Sequence, residues 1–257
     1  MKILLISGHG AGDPGASSTF GVEATETVVM VKKIKETLDK YAVVDLYPVE
    51  RNAFKDIKKG ECKADFGKYD YVLEVHFNAG ASDLAGNGKT TGTEIYVTTA
   101  EKTTGVETRI MQKAAAFGLK NRGVKKKNWS VIARAKASGT SSALLEVCFI
   151  DDKDDMKIYT EKKNQIAAAI AMAIAEQFKL KKSDSGSGTQ ITVGSVVKIK
   201  SGAVYGGLSG TRGKPVPASQ CGDKKHTADK IQINNGVQEA RLAEIKSWVA
   251  LENLLVE

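Results

Sequence analysis

The chain has 257 residues, of which 42% are hydrophobic and 26% are charged, and its formal net charge is +8. This composition is ordinary for a globular protein, and no apolar run approaches the roughly 18 residues that a membrane span needs, so membrane insertion is not expected. The three cysteines are widely separated and form no CxxC pair. They predict free thiols rather than a disulfide framework or a cysteine zinc site.

The basic charge suits a polyanionic partner such as nucleic acid or an anionic bacterial envelope. No segment resembles a recognition helix, a zinc finger or an aromatic stacking platform, so nucleic acid is not an expected partner. The first residues look faintly like a signal peptide, but their apolar run is short and Gly8-His9-Gly10 follows at once. We expect them to form the first strand, and we expect synthesis in the cytoplasm without an export signal.

Strands and helices alternate along the first 180 residues. The aliphatic run Ile3–Ile6 predicts a buried strand that leads to His9, in a turn with four glycines. The other predictions, in chain order, are a helix at 23–40, a strand at 43–47, a mixed segment at 50–68, a strand at 70–79 that contains His76, a loop at 80–91, a strand at 92–97, a helix at 104–118, strands at 131–134 and 142–150, and a helix at 162–178. This alternation predicts an α/β domain with a twisted, mostly parallel sheet flanked by helices.

The pattern changes near residue 180. Residues 181–190 are rich in Ser, Gly and Lys and predict a flexible linker. Beyond them, short strand-like runs alternate with glycine turns, with only a brief helical signal at 238–245. We therefore predict three parts: an α/β domain at 1–180, a linker at 181–190 and a small all-β module at 191–257.

Three candidate metal ligands lie near predicted strand ends or at a predicted helix start: His9, Glu23 and His76. Zinc hydrolases hold their metal with three ligands of these types and leave the fourth position for water. Glu146 lies among aliphatic residues of the strand at 142–150, where a carboxylate needs a partner or a raised pKa. Beside a metal-bound water, a glutamate suits the roles of general base and then general acid.

Each of these residues also has a structural explanation when it is taken alone. Either histidine is compatible with a buried, hydrogen-bonded role, and Glu146 with a pair to a buried arginine. Glu23 suits the first turn of a helix, where an acidic side chain interacts favourably with the helix dipole. The catalytic interpretation therefore depends on all four lying together.

Four separated motifs follow one another along the chain. They are Gly8-His9-Gly10 with Asp13-Pro14-Gly15-Ala16, Gly21-Val22-Glu23, Val75-His76-Phe77-Asn78-Ala79 and Leu145-Glu146-Val147-Cys148-Phe149-Ile150-Asp151. In this order and spacing they resemble the zinc-dependent N-acetylmuramoyl-L-alanine amidases of the amidase-3 type. The resemblance covers about residues 1–180, and Arg122-Gly123-Val124-Lys125 with the strand predicted at 131–134 stands where the family has an Arg-containing turn and a strand.

The resemblance implies a phosphorylase/hydrolase-like fold and hydrolysis of the amide bond between N-acetylmuramic acid and L-alanine in peptidoglycan. It further implies that His9, Glu23 and His76 hold Zn²⁺, that Glu146 is the catalytic glutamate, and that Asn78 contacts substrate.

Two features bear on that assignment. Glu26, one turn after Glu23, is a competing candidate for the carboxylate ligand. The family commonly has Ser-Asn after the glutamate motif, whereas this chain has Asp151-Asp152. This wall of the site is therefore expected to bind substrate differently.

Four short segments of the C-terminal module carry a second resemblance. They are Val193-Gly194-Ser195-Val196-Val197-Lys198-Ile199, Tyr205-Gly206-Gly207, Gly213-Lys214-Pro215-Val216-Pro217 and Glu244-Ile245-Lys246-Ser247-Trp248-Val249. They resemble the SH3-like cell-wall-binding domains of Gram-positive phage endolysins. Tyr205, Trp248 and His226 are candidate glycan contacts, although Trp248 also suits the core of a small barrel and His226 is expected at the surface.

Together the two resemblances imply a phage or prophage endolysin, made in the host cytoplasm and released through a holin-made lesion to lyse a Gram-positive cell. Its partners would be peptidoglycan and associated wall polymers, with the basic loop Lys125–Lys127 as an open question, and some such modules also form oligomers. Two alternatives remain: a zinc peptidase that acts on wall peptides, and a non-catalytic wall-binding protein.

Overall fold

The structure, a computed structural model, describes residues 1–182, 191–234 and 237–256. The chain divides into two units, residues 1–183 and 184–257. Most of the predicted linker, residues 183–190, lies outside the described residues. None of the helices in the described parts of the chain combines the length and apolar character needed to cross a membrane.

The larger unit is built on a six-stranded sheet with helices on both faces. Its strands are β1 (Lys2–Ser7), β2 (Ser17–Ser18), β3 (Gly21–Val22), β4 (Val43–Leu46), β5 (Tyr71–Asn78), β6 (Thr93–Val97), β7 (Asn121–Lys126) and β8 (Ser141–Phe149). Its helices are α1 (Glu23–Leu38), α2 (Ala53–Lys59), α3 (Gly105–Ala115), α4 (Ser130–Ala137) and α5 (Lys153–Gln177). β2 and β3 form a separate two-stranded ribbon.

The main sheet has the strand order β4-β1-β5-β8-β6-β7. β4, β1, β5 and β8 run parallel, β6 is antiparallel to β8, and β7 is parallel to β6. The predicted fold class, a mostly parallel sheet flanked by helices, is confirmed. Because β1, β5 and β8 point the same way, the residues at their carboxyl ends meet at one edge of the sheet.

The two faces of the sheet carry different helices because successive strand residues point to opposite sides. On β5, Leu73, Val75 and Phe77 join the larger core, to which the apolar faces of α1, α3 and α5 contribute. Val72, on the opposite face of β5, joins a smaller core with residues of α2 and α4. The next residues on that opposite face are Glu74, His76 and Asn78, so this face turns from apolar to polar towards the strand end.

The strand predicted at 131–134 is wrong, because these residues belong to helix α4. Val131, Ile132 and Ala135 are buried, a spacing that matches one face of a helix rather than an alternating strand. Residues 122–125, which the resemblance placed in a turn, lie in strand β7 instead, and β7 fills that place in the sheet. Helix α5 begins at Lys153, nine residues before the predicted start, because the Asp152 side chain caps it by accepting from two backbone N–H groups.

The smaller unit contains a five-stranded antiparallel sheet. Its strands are β9 (Val196–Ile199), β10 (Lys225–Asn234), β11 (Val237–Leu242), β12 (Ser247–Ala250) and β13 (Leu254–Val256), in the order β12-β11-β10-β9-β13. The helical signal predicted at 238–245 is wrong, because β11 occupies most of it and pairs with both β10 and β12. Cross-strand pairing here overrides the local pattern.

Three aromatic or imidazole side chains of this smaller unit, His226, Trp248 and Tyr205, differ in burial. His226 is only 1% exposed, and its Nε2 lies 2.8 Å from the carbonyl oxygen of Gln220, so its predicted surface position is wrong. The Cα partner of His226 is Val197 of β9, and the Gln220 carbonyl satisfies Nε2, whereas Nδ1 has no hydrogen-bond partner among the described residues. Trp248 is partly buried and Tyr205 packs partly against the core.

Candidate active site

The four predicted site residues lie at one edge of the main sheet. His9 follows β1, His76 lies near the end of β5, and Glu146 is the Cα partner of His76 on the adjacent strand β8. Glu23 begins helix α1. The described residues around them line a cleft of about 460 Å³ that includes all four side chains.

Glu23 is the centre of a compact cluster of candidate metal ligands. Its Oε2 lies 3.1 Å from His9 Nε2, and its Oε1 lies 2.9 Å from His76 Nδ1. One ligand atom from each of these three residues lies within 4.8 Å of the other two. Glu23 is only 4% exposed and also accepts from the backbone N–H groups of Ala16 and Phe77, which fix its orientation.

Glycines around the cluster allow the backbone to pass close to it. His9 has a φ of 63°, which the glycine-rich turn on either side accommodates. Gly15 has a φ of 65°, and a Cβ there would lie 2.6 Å from Glu23 Oε2 and 2.7 Å from the His9 ring. A Cβ at Gly8 would collide with the His76 ring. The turn after β1 is therefore shaped around the side chains of the cluster.

The electrostatics of the cluster favour a cation. Burial alone would raise the pKa of Glu23, but its contacts with His76 and His9 outweigh that effect and hold the pKa well below its usual value. The contact with Glu23 raises the pKa of His9, and contacts with Glu23 and Glu74 raise that of His76 despite its burial. The cluster thus stabilises positive charge, supplied by protons or by a divalent metal. Two imidazoles and one carboxylate are a donor set that suits zinc.

Glu146 differs from these ligands because its carboxylate is poorly satisfied. Its Oε2 is buried and has no hydrogen-bond partner among the described residues. Burial raises the pKa of Glu146 to about 7, although the nearby His76 opposes this shift. A carboxyl group with this pKa can both take up and release a proton near neutral pH.

Asn78 lies two residues beyond His76 and lines the same cleft. Its Oδ1 accepts from the N–H of Ala79 at 2.8 Å, and its Nδ2 donates to Glu94 Oε1 at 2.9 Å. These two bonds fix the amide and leave one Nδ2 hydrogen for another acceptor. Glu26 lies elsewhere: it accepts from the Tyr159 hydroxyl at 2.8 Å and is not part of the ligand cluster.

Asp151 and Asp152, which stand where the resemblance led us to expect Ser-Asn, are both engaged within the chain. Asp151 accepts from the backbone N–H groups of Gly80, Ala81 and Ser82. Asp152 is fully buried, caps helix α5 and accepts from Thr91. In this structure they hold the loop after β5 against the turn after β8.

The sequence left open what the basic residues Lys125–Lys127 contact. The structure places Lys125 and Lys126 at the end of strand β7 and shows contacts for all three. Lys125 Nζ lies 2.5 Å from Glu94 Oε2, and Lys126 Nζ donates to the carbonyl oxygen of Glu101 at 3.1 Å. The Lys127 ammonium lies 3.7 Å from the centre of the Trp129 ring, which lines the cleft.

Two buried carboxylates near the site were missed from the sequence. Glu74 lines the cleft and lies beside His76, and Glu94 on β6 is the Cα partner of Glu146. The signal for Glu74 was the alternation of residues 74, 76 and 78 on one face of β5. The signal for Glu94 was a charged residue inside the short strand 92–97, the same signal that identified Glu146.

A mostly parallel α/β sheet with two histidines and a carboxylate clustered at its strand ends is the arrangement expected of a metal-dependent hydrolase. The sequence of residues 3–176 matches a family described as N-acetylmuramoyl-L-alanine amidase. This match spans most of the chain. The chain belongs to this zinc-dependent family.

Individual curated proteins are similar in sequence to this chain. The chain is 29% identical over 184 residues to an uncharacterized protein of Clostridium perfringens, covering 69% of this chain and 52% of that protein. It is 28% identical over 211 residues to the sporulation-specific N-acetylmuramoyl-L-alanine amidase of Bacillus subtilis, covering 79% of this chain and 78% of that protein. The chain spans about half the length of two of the curated relatives that it matches.

A solved structure shows the same fold. The catalytic domain of CwlV, an N-acetylmuramoyl-L-alanine amidase from Bacillus (Paenibacillus) polymyxa var. colistinus, superposes with a TM-score of 0.57 at 27% identity. The match covers 70% of this chain and all of that domain.

Proposed function

We propose that this protein is a peptidoglycan hydrolase that cleaves the amide bond between N-acetylmuramic acid and L-alanine. The observation that carries the proposal is the His9–Glu23–His76 cluster in a cleft that also holds Glu146, whose buried Oε2 has no hydrogen-bond partner in the part of the chain that the structure describes. His9, Glu23 and His76 are the residues that would hold zinc, which, when bound, supplies a Lewis acid at the floor of the cleft.

Glu146 is proposed to move the protons of the reaction. As a carboxylate it takes a proton from the water whose oxygen attacks the carbonyl carbon of the lactyl group. As a carboxylic acid it returns that proton to the nitrogen of L-alanine when the C–N bond breaks. Its pKa of about 7 suits both directions of transfer. Asn78, with one Nδ2 hydrogen still available, is positioned to bind a substrate carbonyl in the same cleft.

For the whole chain we propose an endolysin. The small antiparallel sheet of the second unit supports an SH3-like wall-binding module, with Tyr205 and Trp248 as partly exposed aromatic contacts. Its partners would be peptidoglycan and associated wall polymers, with self-assembly through this module as a further property. In this role a phage or prophage protein accumulates in the host cytoplasm and reaches the wall through a holin lesion.

Mass spectrometry of purified Gram-positive peptidoglycan digested with the full chain tests the activity. An amidase releases intact stem peptides with a free L-alanine amino group, and leaves a free lactyl carboxylate on the glycan. A peptidase would instead expose amino groups inside the stem or cross-link, and a binding protein would release no product. Chelation is expected to stop release, and added Zn²⁺ to restore it.

The Glu146→Ala variant of the full chain supplies the control. It is expected to retain zinc, to sediment with intact walls and to release no product. Sedimentation without hydrolysis would separate wall binding from catalysis. Product release by this variant would contradict the assignment of Glu146, and a failure to sediment would contradict the wall-binding role.

A further inference from the structure

Glu74 is a buried carboxylate beside the ligand cluster that the proposed chemistry does not use. It is 5% exposed and lies on β5, on the same face as His76 and Asn78. Its Oε1 lies 3.2 Å from His76 Nε2, while its Oε2 is buried and has no hydrogen-bond partner among the described residues. Burying a carboxylate with so few hydrogen bonds costs folding free energy. Its one contact, with His76, is therefore a candidate for a functional role.

The two nitrogens of His76 face two different carboxylates. Nδ1 faces Glu23, inside the ligand cluster, and Nε2 faces Glu74, outside it. Glu74 is not a member of the cluster, whose ligand atoms come from His9, Glu23 and His76. Since an ionised carboxylate can only accept, each of these two contacts calls for a proton on the nitrogen that makes it; a metal held in the cluster would replace the proton on Nδ1 and leave the proton on Nε2, where Glu74 accepts it. Nδ1 then presents its lone pair to the cluster.

We propose that Glu74 is a positioning residue that holds His76 in the tautomer and ring orientation needed to bind zinc through Nδ1. This inference rests on the proposed zinc site. A histidine ligand whose other nitrogen donates to a carboxylate is more basic and is fixed in its ring orientation.

His9 offers an internal comparison. Its Nδ1 lies 3.3 Å from Asp13 Oδ1, but Asp13 is 30% exposed and also accepts from Asn52 and from the N–H of Gly15. Glu74 is therefore buried and contacts one imidazole, that of His76. Asp13 is partly exposed to solvent and divides its oxygens among several donors. Of the two, Glu74 is expected to have the larger effect on metal affinity, because electrostatic contacts strengthen away from water.

The first test is the zinc affinity of the full-length protein, measured by competition with a chromophoric chelator. Glu74→Ala is expected to weaken zinc binding by about 10- to 100-fold. Glu74→Gln, which keeps an acceptor oxygen but no charge, is expected to fall between Glu74→Ala and the wild type. Glu107→Gln is the matched control, because Glu107 is also 3% exposed but accepts from the Tyr71 hydroxyl away from the cluster. It is expected to bind zinc within about twofold of the wild type.

The second test reads the tautomer directly. Long-range ¹H–¹⁵N spectra of the zinc-loaded protein are expected to show His76 with a protonated Nε2 and a metal-bound Nδ1. Glu74→Gln, which preserves the side-chain volume, serves if Glu74→Ala does not fold. A metal-bound Nε2, or zinc affinity unchanged in both Glu74 variants, would overturn the positioning role while leaving the proposed activity intact. A wild-type protein that binds no zinc would overturn both, and the wild-type titration alone identifies that case.

Discussion

Glu146 and Glu94 face each other as Cα partners across β8 and β6, yet their surroundings are opposite. Glu94 is 2% exposed and accepts from Asn78, Tyr96, Arg122 and Lys125. Burial alone would raise its pKa, but these donors, led by Lys125 and Arg122, lower the pKa to about 2. Glu146 has a buried oxygen that no described residue contacts by a hydrogen bond, and burial raises the pKa of Glu146 to about 7.

This difference shows that the partners of a buried carboxylate, rather than its place in a strand, decide what it can do. Glu94 is an anion at neutral pH, and its hydrogen bonds connect β6, β7 and the end of β5. Glu146 is held close to the balance between its two protonation states, as an acid–base group requires. A Glu→Gln substitution is therefore expected to lower the rate of reaction at position 146 and the stability of the fold at position 94.

The largest expected effect is on the chemical step in Glu146→Gln. We expect kcat to fall by about 10²- to 10⁴-fold, the usual contribution of a positioned acid–base group. Zinc content and resistance to urea should stay close to those of the wild type, because an unpartnered carboxylate oxygen is lost. Product release from purified peptidoglycan, with zinc measured by elemental analysis, checks both. A kcat within tenfold of the wild-type value would contradict the assignment of Glu146, and not Glu94, as the acid–base group.

Glu94→Gln is expected to act on stability instead. Arg122 and Lys125 lose charge-assisted hydrogen bonds to a carboxylate, which should cost about 2 kcal/mol of unfolding free energy. Urea unfolding of the metal-free protein measures this loss, and zinc binding should be retained. If Glu94→Gln were as stable as the wild type but as inactive as Glu146→Gln, Glu94 would belong to the chemistry rather than to the scaffold.

A smaller effect should appear in acid, where the difference in stability between the wild type and Glu94→Gln is lost. The folded-state pKa of Glu94 is about 2, below its ordinary value of 4.5. Its contribution to stability is therefore complete above about pH 4.5 and is lost as the pH falls towards 2. Urea midpoints of the wild type and Glu94→Gln, compared at a series of pH values, should converge across this window. A constant difference would show that the charge of Glu94 is not the cause.

Much of the catalytic unit could be predicted because its strands are strongly patterned. The aliphatic runs before His9 and His76 fix their strands, and parallel strands bring their carboxyl ends to one edge of the sheet. The short run at 131–134 was misassigned because four residues do not distinguish a buried strand from a helical turn. His226 was misplaced because its burial depends on the pairing of β10 with β9, where its Cα partner is Val197.

Glu74 and Glu94 could not be assigned roles from the sequence for a related reason. A glutamate within a strand signals only that a partner is needed, and it does not say which residue is the partner. The donors to Glu94 come from three separate strands, and the partner of Glu74 is the opposite edge of an imidazole already taken as a ligand. Such pairings exist only once the sheet has formed.

The composition of the loop after β5 suggests a loop that opens easily, whereas its hydrogen bonds indicate the opposite. Residues 79–92 are rich in glycine, but their amides donate to Asp151, Asp152, Asp154 and Asp155 at the start of helix α5. Since carboxylates at the start of α5 and just before it accept from amides along the loop, opening one part of the loop would break hydrogen bonds to this shared set of acceptors. The loop and the first turn of α5 should therefore exchange their amide hydrogens as one cooperative unit, so that this glycine-rich loop is held as firmly as the start of the helix to which it is bonded.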